Sequence, residues 1–164
     1  MRTIRPEPLT AEAFAPYGDV IEAPGTGEQF LINEGNTVRF HDQIAVDVAD
    51  GGGVCVSIFR STPLAEPITI KLVEYHPLGS QAFMPLGSNP YLVVVAEAGD
   101  FTADKIRVFL ATSEQGVNYH KGTWHHYCLA LKSESDFLVI DRKGEGDNCV
   151  EHMLADDEQI IIAL

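Results

Sequence analysis

Hydrophobic residues in this chain recur with a period of two far more often than with the 3.6-residue spacing of a helix. Alternating or continuous apolar runs occupy Thr37–Val48, Val54–Ser61, Ile68–His76, Gln81–Pro85, Tyr91–Ala98, Ile106–Thr112, Tyr127–Ser133 and Phe137–Asp141. Each run is closed by Gly, Pro, Asn or Asp, and each predicts a strand. Gly51-Gly52-Gly53 predicts a turn between two of them. A single short helix is expected near the start, with Thr10 as its N-cap, Ala11-Glu12-Ala13-Phe14 as its turn and Gly18 near its end. The tail Asp156-Asp157-Glu158-Gln159 reads as one helical turn or an exposed loop. No internal repeat, low-complexity stretch or long linker interrupts the pattern. The expectation is a single domain over 1–164, all-β, an antiparallel sandwich or small barrel of the jelly-roll kind with a short N-terminal helix.

Strand alternation turns this pattern into a prediction about polar residues. In Ile68–His76 the apolar face Ile68, Ile70, Leu72 continues into Glu74 and His76. In Val54–Ser61 the face Val54, Val56, Ile58 continues into Arg60. In the segment starting at His125, the face shared with Leu129 and Leu131 carries His125, and the neighbouring His126 must point the other way. One mouth of the barrel is therefore expected to gather Arg60, Glu74, His76 and His125. Buried charges are costly unless paired or bound to a metal or ligand, so such a gathering calls for a chemical reason.

The spacing supplies a candidate. Glu74-x-His76 with Gln81 five residues on, then Gly122-x-x-His125, has the cadence of the two metal-binding motifs of cupin barrels, with Glu74 in place of a first histidine and Gln81 in place of a carboxylate. A carboxylate, two imidazoles and an amide oxygen suit a borderline divalent metal with open positions better than a closed tetrahedral zinc site. Tyr119-His120-Lys121-Gly122-Thr123-Trp124-His125-His126 holds the only tryptophan and half of the six histidines. There Gly122 allows a turn with positive φ, Trp124 is a candidate pocket wall beside Tyr119, and His120 is a candidate acid or base. On residues alone the open readings are a metal-dependent cupin enzyme, such as an oxygenase or isomerase using iron or manganese, and a metal-free, non-catalytic cupin module whose pocket binds a small carboxylate.

Composition narrows the partners. Eleven Lys and Arg against 24 Asp and Glu give a formal charge of −13 over 164 residues, which disfavours nucleic acid and anionic lipid. No apolar run is long enough to span a bilayer, and the first residues lack an apolar signal core. The three cysteines, Cys55, Cys128 and Cys149, show no C-x-x-C spacing, so reduced thiols in a cytoplasmic protein are expected. Nucleotide-binding and serine-nucleophile signatures are missing.

Three segments carry a family resemblance: Glu74-Tyr75-His76-Pro77-Leu78-Gly79-Ser80-Gln81-Ala82-Phe83, Glu114 through His126, and Asp136-Phe137-Leu138-Val139-Ile140-Asp141-Arg142. They resemble ureidoglycolate lyases, and the likeness runs from Tyr17-Gly18-Asp19-Val20-Ile21 to Asn148-Cys149. Tyr127, where proline is expected, is a small departure. The resemblance implies a cupin-like β-barrel, a homodimer, a nickel ion, and cleavage of (S)-ureidoglycolate to glyoxylate and urea in allantoin breakdown. On that reading Glu74, His76, Gln81 and His125 hold the metal. Arg60 anchors the substrate carboxylate, and Tyr119 and Trp124 line the pocket. His120 moves the proton, with His76 or Glu74 as the base if no metal binds.

Overall fold

The computed structural model describes residues 1–164. Its centre is the strand Tyr91–Ala96, buried at every position. Tyr91, Val93 and Val95 pack with Phe83, Phe109, Val117, Phe137 and Val139 on one side. Leu92, Val94 and Ala96 pack with Ile68, Ile70, Ile160 and Ile162 on the other. A strand covered on both faces needs no polar alternation, which explains its continuous apolar sequence. Each fully buried large side chain contributes roughly 1.5–3 kcal/mol relative to an exposed one.

The result is three layers. The middle sheet runs Val150–Met153, Leu72–Tyr75, Trp124–His125, Tyr91–Ala96, Arg107–Ala111 and Glu7–Pro8, with Leu129–Ala130 also paired to the central strand. The facing sheet is ordered Gly18–Ile21, Gly116–Tyr119, Gln81–Pro85, Ser135–Lys143 and Gly53–Ser61, all antiparallel. The third is a small sheet in which Ile160–Ile162 pairs parallel with Arg2–Ile4 and antiparallel with Thr69–Ile70. The chain is all-β and largely antiparallel, with two large sheets enclosing a core as expected. The short helix forms at Ala11–Phe14, capped by Thr10, whose hydroxyl accepts the Ala13 N–H at 3.2 Å.

Several predicted boundaries move. The run Ile68–His76 is two strands, Thr69–Ile70 and Leu72–Tyr75, because Ile70 pairs with Ile160 while Leu72 pairs with Met153. The chain changes sheets at Lys71. Only Thr37–Phe40 of Thr37–Val48 is a strand, in a hairpin with Gln29–Ile32. Asp42 then adopts φ +49°, which ends the extended run. Residues 41–48 cross the outer face of the five-stranded sheet instead. Gln43 bonds both backbone groups of Glu22 at 3.0 Å, and Asn118 donates to the Ala45 carbonyl.

One correction bears on function. The face of Gly53–Ser61 carrying Val54, Val56, Ile58 and Arg60 points to solvent, not into the barrel. The register sets Cys55, Ser57 and Phe59 opposite Asp141, Val139 and Phe137, so the odd positions face the core, and Phe59 meets the Phe83 ring edge-on. Val54, Val56 and Ile58 remain 48%, 63% and 56% exposed on an edge strand. Apolar patterning alone does not tell a core-facing stripe from an outward one.

Candidate functional site

Alternation gathers one set of polar side chains where the two large sheets meet. Glu74 and His125 are directly opposite in neighbouring strands, so their side chains share a face. His76 follows two residues after Glu74, and its carbonyl accepts the N–H of Gly122, which has φ +85° in the turn closed by the Thr123 N–H and the His120 carbonyl. Gln81 begins the Gln81–Pro85 strand and pairs with Tyr119. Donor atoms of Glu74, His76 and His125 all lie within 4.8 Å of one another.

The proton inventory is the informative feature. His125 Nδ1 donates to the Thr123 carbonyl at 2.9 Å. A carbonyl only accepts, so the hydrogen of a neutral imidazole is on Nδ1 and Nε2 carries a lone pair. That Nε2 is buried, has no hydrogen-bond partner, and faces Glu74 Oε1 at 3.6 Å. Burial, with His76 nearby, pushes the His125 pKa down to about 3, so the ring is neutral. Hydrogen-bond geometry alone gives the tautomer of His76. Its Nδ1 donates to the Asn148 carbonyl, leaving Nε2 against Gln81 Oε1 at 3.2 Å. The Gln81 amide is turned this way because its Nε2 donates to Asp141 Oδ2 at 3.1 Å. Four acceptors therefore converge with no donor among them. Such a set fits a cation, and a divalent metal accepts this mix of imidazole, carboxylate and amide oxygen. A bare cluster of lone pairs is otherwise costly.

The outer contacts suit the same task. Asn148 fixes His76 through its carbonyl and the Leu78 N–H through its side chain at 2.8 Å. Asp141 fixes Gln81. Cys149 Sγ lies 3.6 Å from the second oxygen of Glu74. Desolvation and the Glu74 charge push that thiol up to about 11, so it stays protonated and donates. The Tyr119 ring stacks on His125 with centroids 4.3 Å apart and planes 10° from parallel, and its buried hydroxyl stays protonated.

Three expected site residues stand elsewhere. Arg60 forms a bidentate pair with Asp136, at 2.8 and 3.0 Å, on the outer face. Trp124 points away from His125, as neighbours on a strand must. It packs with Tyr75 and Phe101 in the outer core and donates to the Gly99 carbonyl. His120 is half-exposed and bonds Asp19 Oδ2 at 3.0 Å, next to Asn118 on the same carboxylate oxygen. It is not among the converging acceptors. Conversely, Asn148 belongs to the site unannounced, and Asp141 joins it through Gln81. Asp141 was within reach, because it continues the inward face of Phe137 and Val139.

The ureidoglycolate lyase family model matches residues 1–162. The chain belongs to the ureidoglycolate lyase family. A ureidoglycolate lyase of Pseudomonas fluorescens strain SBW25 is 50% identical over 99% of this chain and 98% of its own. One from Pseudomonas aeruginosa strain LESB58 is 50% identical over 99% and 96%. Among solved structures, a Bacillus subtilis oxalate decarboxylase with Mn(II) centres aligns at 13% identity and a TM-score of 0.41, covering 65% of this chain and 29% of its own.

Proposed function

We propose that this chain is a single domain, residues 1–164, that cleaves (S)-ureidoglycolate to glyoxylate and urea at the Glu74, His76, Gln81 and His125 cluster. The observation that carries the reading is the convergence of four acceptors without a donor, in a chain half identical to ureidoglycolate lyases. Ureidoglycolate is a carbinolamine. Cleavage removes its hydroxyl proton, forms the aldehyde C=O, breaks the C–N bond and protonates the departing ureido nitrogen. Glu74, His76, Gln81 and His125 would hold a Ni2+ ion, whose Lewis acidity would make the substrate hydroxyl more acidic. Glu74 takes the hydroxyl proton and returns it to the leaving nitrogen, a role worth roughly 10²–10⁴-fold. His76, held by Asn148, keeps its Nε2 directed at the cluster, and Tyr119 fixes the His125 ring plane. His120 and Arg60 act outside this step, since His120 Nε2 pairs with Asp19 and the Arg60 guanidinium pairs with Asp136 on the outer face.

The test is product analysis on racemic ureidoglycolate, with the uncatalysed decay subtracted. Glyoxylate and urea should form in equal amounts without ammonia, and half of the racemate should disappear quickly. Ammonia in step with glyoxylate, or no rate above background, would overturn the reading.

The enzyme is further proposed to be a cytoplasmic homodimer. Free thiols at Cys55, Cys128 and Cys149 support the compartment. The exposed stripe Val54, Val56 and Ile58 on an unpaired strand edge supports the interface. Val56→Lys should convert the dimer to a monomer in light scattering after size exclusion. A dimer that persists in this variant puts the interface elsewhere.

A further inference from the structure

Between His76 and Gln81, two of the four converging acceptors, the chain makes a short loop, Pro77-Leu78-Gly79-Ser80. Two segments hold that loop from opposite flanks. On one flank the Ser80 N–H donates to the Asp47 carbonyl at 3.0 Å, and Ser80 Oγ accepts the Asp47 N–H at 2.8 Å. Val48 bridges Gly79, and the Ala49 N–H donates to the Leu78 carbonyl at 2.8 Å. On the other flank Asn148 accepts the Leu78 N–H through its side chain and the His76 ring proton through its carbonyl. One side chain ties the flanks together. Arg142 donates from Nε to the Ala49 carbonyl and from Nη2 to the Glu145 carbonyl, each at 2.9 Å, and Glu145 lies three residues before Asn148.

Arg142 is unusual for a buried cation. It is 8% exposed and forms no salt bridge, and burying a charge without a counter-ion is costly. Glycines make room for it. A Cβ at Gly52 would stand 2.9 Å from Arg142 Cγ and Cζ, and one at Gly79 would stand 2.9 Å from Arg142 Cβ. The Gly51-Gly52-Gly53 turn is therefore also the seat of the guanidinium. Its planar fork spans two carbonyls from different loops, a geometry that a lysine ammonium does not reproduce. We infer that Arg142 is a positioning residue for the cation-binding centre. By joining residues 49 and 145 it fixes the 77–80 loop from both sides, and so the 3.2 Å spacing of His76 Nε2 and Gln81 Oε1. Sites of this kind need their side chains held within roughly 0.5 Å of the working geometry. The inference rests on reading the four acceptors as one such centre, and Arg142 acts on it only through backbone.

Two variants of the full-length chain test this. Arg142→Met keeps an apolar stem but no donor, and Gly52→Ala keeps Arg142 while pressing a methyl group against its guanidinium. Each is compared with the wild type by equilibrium dialysis against Ni2+, under conditions where circular dichroism shows it folded, and by the ligand-field absorption of the nickel-saturated protein. Each should bind Ni2+ about 10–100-fold more weakly, the range for residues that support a metal's ligands, with a shifted absorption spectrum. Gly52→Ala carries the test where Arg142→Met folds poorly. A variant that unfolds more easily, yet when folded keeps the wild-type affinity and spectrum, would overturn the inference and leave the centre intact. Uptake of no nickel by the wild type would overturn the reading of the centre and this inference with it.

Discussion

Glu74→Gln should lower kcat/KM for ureidoglycolate by about 10³-fold, as expected for loss of a general base, while the metal-free protein becomes no less stable than the wild type. The two halves of this result belong together. In the wild type Glu74 Oε1 faces the lone pair of the buried, neutral His125 across 3.6 Å. A glutamine can turn its amide N–H towards that lone pair and convert an acceptor–acceptor contact into a hydrogen bond, typically worth about 1 kcal/mol. The substitution removes the charge that a cation and a proton transfer need, and at the same time relieves a contact the metal-free fold tolerates badly. Denaturant unfolding beside steady-state kinetics reads both. A large loss of stability in Glu74→Gln would make the carboxylate a structural partner of His125. Near-normal turnover would remove it from the reaction.

The buried histidines also set how the metal-free protein responds to acid. Burial depresses His125 to about 3 and His126 to about 4, against 6.5 for an unhindered imidazole. Below about pH 6.5 the unfolded chain takes up two protons that the native state refuses, so stability is present above that pH and is lost as the pH falls towards 4. The limiting slope for two imidazoles is about 2.7 kcal/mol per pH unit. Denaturant unfolding of chelated protein between about pH 7 and pH 5 should show this decline, and His126→Gln should remove about half of it. A flat profile would mean that both rings take up protons in the native state.

Much of the cluster was legible from strand alternation. Gln81–Pro85 forms with the expected ends, Glu74 and His76 end up on the face assigned to them, and His125 rather than His126 turns to the cluster. The rule that separated those two histidines also turns Trp124 outward, since it flanks His125 on the other side. Arg60 failed for a different reason. Val54, Val56 and Ile58 have the composition of a core face, and a sequence records only that a stripe is apolar, not whether it meets its own chain or water. The pairing of Arg2–Ile4 with Ile160–Ile162 joins opposite ends of the chain, and no local pattern announces such a contact. Asn148 acts on His76 through its backbone carbonyl, a role no side-chain pattern displays.

The central claim is that Glu74, His76, Gln81 and His125 form one cation-binding centre, and equilibrium dialysis against Ni2+ tests it most directly. Chelated wild-type protein should take up one ion per chain. Glu74→Gln and His125→Gln, folded by circular dichroism, should each bind at least about 100-fold more weakly, since changes to the outer shell of a metal site alone cost 10–100-fold. Uptake of no ion by the wild type, or undiminished binding by both variants, would contradict it.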